Sequence, residues 1–158
     1  MRALVLIAAT LSLFATTANA DPHQVKVGKL VISSRVVRAS LGHTPTTAAY
    51  LTISNGGDTP DRLLSASCAC ADKVEAHVMQ EMKGMMMMMG DDGPVVIPAH
   101  GTVAFHPGGR HLMLTGLKEK LTDGGQQEIT LVFEHAGPVT ASFNIRAKIA
   151  ADGSPPAH

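Results

Sequence analysis

The chain has 158 residues and a mass of 16.5 kDa, with 13 basic and 13 acidic side chains. That length fits one domain, large enough to bury a core without a disulfide framework. Balanced charge argues against a nucleic-acid binder or a polybasic membrane anchor, both of which need a concentrated positive field, and a hydrophobic content of 45% argues against disorder.

Residues 1–20, MRALVLIAATLSLFATTANA, read as a signal peptide. Arg2 supplies the positive start, residues 3–15 form a largely apolar stretch, and Ala18-Asn19-Ala20 places small residues where a signal peptidase reads. Thirteen residues fall short of the ~20 needed to span a bilayer, so no membrane span is expected after cleavage. Asp21 rather than a cysteine follows the cut, so a lipid-anchored form is not indicated. The expected compartment is the periplasm. The expected organisation is a leader 1–20, one domain 21–151 and a polar, Pro-rich flexible tail 152–158.

Strand signals then recur at short intervals. The predicted strands are 25–32, 35–39, 48–54, 62–66, 74–80, 85–89, 95–97, 102–105, 111–115, 128–134 and 139–145. Turn residues separate many of them, as at Asn55-Gly56-Gly57, Lys83-Gly84, Pro107-Gly108-Gly109 and Asp123-Gly124-Gly125. No stretch keeps a helical apolar stripe for three turns. The expected fold is all-β, an antiparallel sandwich or barrel.

Seven of the nine methionines fall within residues 79–89: Met79, Met82 and the unbroken run Met85, Met86, Met87, Met88 and Met89. Core use of Met as a gap-filler would scatter it among strands. A run of five puts side chains on both faces of a strand, so some must face water or a partner. Thioether sulfur is a soft ligand that favours Cu(I) over zinc, magnesium or calcium. Histidine sharpens that reading. His77 precedes Met79 by two positions, and His111 precedes Met113 by two. On a strand such pairs share a face, so two strands and the Met run would make a mixed imidazole and thioether site without carboxylates.

Here the sequence resembles a known family. His77-x11-Met89-x21-His111-x-Met113 is similar to the H(M)-x10-M-x21-H-x-M pattern of periplasmic copper chaperones of the PCu(A)C type. The neighbouring segments 48–55 (AAYLTISN), 61–64 (DRLL), 73–77 (KVEAH), 97–99 (IPA) and 107–109 (PGG) also resemble that family, so the likeness spans residues 27–133. With Met89 the first spacing is one residue longer than the pattern; with Met88 the second is. The resemblance implies a cupredoxin-like, immunoglobulin-like β-sandwich, a non-enzymatic protein that carries Cu(I) on His77, Met88 or Met89, His111 and Met113. It also implies a copper-accepting partner, such as oxidase subunit II with its CuA centre or another copper chaperone.

Cys68 and Cys70 are the only cysteines. In an oxidising compartment they could form a disulfide, stay as a dithiol, or join Met79 as auxiliary copper ligands. A blue-copper centre needs a cysteine among its ligands, with two histidines and a weak axial methionine; both cysteines precede the first His/Met pair and none lies near His111 and Met113. Asp21-Pro22-His23 cannot form an amino-terminal Cu(II) site, because Pro22 has no N–H to lose. His43, His100, His106, His135 and His158 read as surface residues. Four functions remain open: a copper carrier, a Met-rich copper store, a thiol–disulfide reductant acting through Cys68 and Cys70, and an interaction module with a sticky Met strand.

Overall fold

The period-two alternation of the sequence is kept in the computed structural model, which describes residues 23–91 and 93–153. The leader 1–20 and most of the predicted tail lie outside the described residues. Eleven strands occur in chain order: β1 (Val25–Val27), β2 (Leu30–Arg38), β3 (Thr46–Asn55), β4 (Asp61–Ser67), β5 (Ala71–Met82), β6 (Met85–Gly90), β7 (Val95–Ile97), β8 (Thr102–Phe105), β9 (His111–Leu117), β10 (Gln126–Phe133) and β11 (Gly137–Arg146). Along β10, Ile129, Leu131 and Phe133 turn inward; along β11, Ala141, Phe143 and Ile145 do so. They pack with Ile32, Leu51, Ile53, Leu112 and Leu114 in one core, and each buried Leu, Ile or Phe contributes about 1.5–3 kcal/mol relative to exposure.

The strands pair in the order β1-β2-β11-β10-β4-β5-β9-β3-β8, and a further β2–β3 pairing joins the ladder back on itself. β2, β11, β10, β4, β5, β9 and β3 therefore close around the core, while β6 extends β5 and β7 extends β4. Closure leaves fewer open edges for aggregation. The all-β, single-domain expectation holds, with one departure from a purely antiparallel sheet: β11 runs parallel to β2.

The first two strands are divided differently from expectation. Gly28, at φ 57°, and Lys29 turn the chain between Val27 and Leu30, which pair. β2 then runs through Ser33 and Ser34 instead of ending there. Ser34 takes φ 50° and the β2–β3 register shifts at this point, so the polar pair makes a bulge and not a strand end.

β5 belongs to two ladders. Its first half lies in the closed ladder beside β9, and that pairing ends at His77↔His111. Its second half continues as a ribbon with β6, from His77↔Gly90 to Met82↔Met85. Lys83 and Gly84 close the ribbon with φ of 52° and 80°. Two successive positive φ values are the mark of a type I′ turn, whose twist matches that of the strands it joins.

Candidate metal centre

Leu112 and Leu114 of β9 point into the core, so His111 and Met113 project from the opposite face of that strand. On β5, Val74 and Ala76 turn toward the core, leaving Glu75, His77 and Met79 on the outer face. Register joins the two sets: His77 lies opposite His111, and Glu75 opposite Met113. The imidazole centroids of His77 and His111 are 6.0 Å apart with planes inclined at 52°.

The Met run enters through β6. Met79 pairs with Met88, which brings Met88 onto the face of His77 and His111. Its sulfur lies 3.3 Å from His111 Nε2. Met89 pairs with Val78, and the pleat therefore directs it to the other face of the ribbon. Of the two methionines left open by spacing, Met88 stands with the histidines and Met89 does not. Met79 shares the histidine face.

A turn before β9 fixes this arrangement. His111 Nδ1 donates to the Gly109 carbonyl at 3.1 Å, and the Met79 amide donates to the same oxygen at 3.3 Å. One carbonyl thus ties both histidine-bearing strands together. The His106 ring packs so closely over Gly109 that a Cβ there would stand 2.5 Å from His106 Cε1. Arg110 Nε donates to Asp91 Oδ2 at 2.6 Å, and the Asp91 amide donates to the Ala76 carbonyl at 3.0 Å. These contacts hold the chain that leaves β6 against the chain that enters β9. Gly109, Arg110 and Asp91 were not legible as a set: the Pro-Gly-Gly turn was visible, but a pairing across 19 positions is not.

The donor chemistry rests on these bonds. A carbonyl oxygen only accepts, so His111 Nδ1 carries a proton, and in the tautomer that this bond selects the lone pair is on Nε2. That lone pair faces a thioether, which has no proton to give. His77 Nδ1 is buried with no hydrogen-bond partner among the described residues, an uncompensated polar atom of the kind a ligand explains. Imidazole nitrogen and thioether sulfur suit a soft cation. Among the described residues no group of three His, Cys, Asp or Glu side chains could hold a harder one. Glu75, beside Met113, is engaged by Lys73 at 2.8 Å.

The remaining candidates lie elsewhere. Cys68 and Cys70 form a disulfide at the β4–β5 corner, and Cys70 is buried. The adjoining Ala71 pairs with Leu117, six residues before His77 and so about 20 Å away along the strand. Neither sulfur can share an ion with His77. His43 is exposed, His100 bonds Asp58 at 2.7 Å, and His135 stands 3.8 Å from Glu134. His106, expected at the surface, is instead half-buried over Gly109.

Known proteins share both the sequence and the fold. The chain matches the family described as "Putative lipoprotein LpqE-like" over residues 30–145. It is 32% identical over 87 residues to "Putative lipoprotein Lxx21020" of Leifsonia xyli subsp. xyli, covering 55% of this chain and 52% of that protein. The chain spans about half the length of the curated relatives it matches. Among solved structures it is similar to the copper-bound PCuAC domain from PmoF2, with TM-score 0.68 and 29% identity over 80% of this chain and 99% of that one. It is also similar to the Cu(I) form of DR1885 from Deinococcus radiodurans, with TM-score 0.62 and 27% identity over 81% of this chain and 83% of that one. The fold is that of PCuAC domains.

Proposed function

We propose that this chain, which belongs to the LpqE-like family, is a copper chaperone that carries Cu(I) on His77, Met88, His111 and Met113. The observation that supports this most is His111 Nε2 facing the Met88 sulfur at 3.3 Å, with His77 directly opposite His111. The copper-bound neighbour adds support from outside the chain, and the Cu(I) form of DR1885 supports the oxidation state.

The role is binding and release, not catalysis. Copper is cargo, held near the surface because Met88 is about half exposed. Delivery proceeds by ligand exchange: an acceptor's thiolate or imidazole displaces one weak thioether at a time, and the exposed Met88 leaves first. The acceptor is a periplasmic or membrane-anchored copper protein, with the CuA centre of cytochrome c oxidase the destination that the family resemblance favours. The leader-like residues 1–20 support a periplasmic location.

The test is an anaerobic Cu(I) competition titration against a chromogenic chelator, with a Zn(II) control, and then mixing of the loaded protein with an apo-CuA domain. One tight Cu(I) per chain, indifferent to zinc and passed to the acceptor, is the expected result. Absence of tight binding, or its loss in Cys68→Ser/Cys70→Ser, contradicts the assignment.

A further inference from the structure

The ribbon of β5 and β6 has a second face that the proposed centre does not use. Register sorts its side chains cleanly. His77, Met79 and Glu81 share one face with Met86 and Met88; Val78, Gln80 and Met82 share the other with Met85, Met87 and Met89. The β9 ladder ends at His77↔His111, and beyond the Met79 amide bond to Gly109 the strands of the ribbon pair with each other. Met82, Met85, Met87 and Met89 are 45%, 65%, 47% and 41% exposed. Four thioethers therefore stand together on one open face.

We propose that Met82, Met85 and Met87 form a second, all-thioether site for a soft monovalent d10 cation, Cu(I) in the cell, on the face of the ribbon opposite the histidines. Met82 and Met85 are direct cross-strand partners flanking the Lys83-Gly84 turn, and Met87 is two residues beyond Met85 on the same face. Directly opposed Cβ atoms lie about 5 Å apart, and diagonal neighbours about 7–8 Å. Each sulfur sits two single bonds beyond its Cβ, and the unbranched Met side chain can turn it either way. Three sulfurs can thus close on one ion with bonds near 2.3 Å, roughly the usual length of a metal–sulfur bond.

Composition favours a cation over an apolar partner. A docking face gains as much from Leu or Ile, yet the four large apolar side chains at the end of this face are all Met, with no Leu, Ile, Phe, Tyr or Trp in residues 78–90. With no imidazole and no charge in the donor set, the site binds more weakly than the histidine centre and selects against zinc. It is independent of the carrier reading, because no ligand is shared.

The test uses Ag(I), a redox-inert soft probe, tracked through the ε-methyl resonances of the methionines of the whole protein. Two ions bind in sequence: the first shifts Met88 and Met113, the second Met82, Met85 and Met87. Met82→Leu/Met85→Leu/Met87→Leu binds one ion with the first step unchanged within about threefold. His111→Ala/Met88→Leu loses the first step and keeps the second. Binding of a single ion by the wild type, at Met88 and Met113 with no response from Met82, Met85 and Met87, overturns the proposal. So does a second ion that survives the triple substitution, or a second step that moves all the methionines alike. If only the Met82 group responds, the second site stands and the carrier assignment fails.

Discussion

His111 Nε2 lies 3.3 Å from the sulfur of Met88, although the two residues are 23 positions apart. The contact exists because two ladders share β5: β9 brings His111 to it from one side and β6 brings Met88 from the other. Neither residue touches the other through local structure. The geometry of the proposed site is therefore a property of the sheet, and it should respond to changes that leave the ligands untouched.

Gly109→Ala is the sharpest such change. The added methyl would meet the His106 ring and push the turn whose carbonyl holds His111 Nδ1 and the Met79 amide. Loss of an outer-shell partner typically costs about 10–100-fold in metal affinity, and the lower half of that range is expected here. His106→Ala removes the obstructing ring, so the double variant should recover most of the affinity. Cu(I) competition titrations of the two single variants and the pair check this; equal loss in Gly109→Ala and the double variant would refute it.

Much of this was legible in the sequence. Period-two patterning located the strands, and the two His-x-Met pairs marked the face on which the proposed centre is built, because both depend only on side chains alternating along a strand. The choice between Met88 and Met89 was not legible, since each satisfies one spacing of the family pattern and misses the other. What separates the two is the Lys83-Gly84 turn, which fixes the register of β6 and hence puts Met88 on the histidine face and Met89 on the other. The Gly28-Lys29 turn and the Ser34 bulge were exchanged for the same reason: serine pairs read as breaks, whereas here pairing with β3 carries the chain through.

Lys83 offers a test of that turn. It occupies the left-handed region at φ 52°, which costs an ordinary side chain roughly 1 kcal/mol and is better tolerated by Asn. Lys83→Asn should slow amide hydrogen exchange in the β5–β6 ribbon by about fivefold. Exchange in the core strands should not change. A faster-exchanging ribbon would mean that the turn is not of this type.

Asp61 gives a pH dependence separate from copper. Its burial alone would raise the carboxyl, but the amides of His135, Arg62 and Ala136, with the charge of His135, outweigh that and hold it below the usual carboxylate range. Its stabilising contribution is therefore present above the unfolded value of about 3.9 and is lost as pH falls through the lower folded value. Asp61→Asn should cost about 1–3 kcal/mol at pH 7 and flatten the decline in stability below pH ~4. Urea unfolding of both proteins between pH 7 and pH 2 measures it, and parallel curves would contradict it. Cu(I) affinity should be the same in both.

In the proposed centre the face of the ribbon, and not the richness of the run, selects the copper ligand. The most direct measurement compares Cu(I) affinity in Met88→Leu and Met89→Leu, adjacent substitutions with the same chemistry. Met88→Leu should weaken the tight site by roughly tenfold or more, on the scale of a lost first ligand, while Met89→Leu should stay within about twofold of wild type. Equal effects, or the reverse order, would contradict the assignment of Met88 and the register on which it rests.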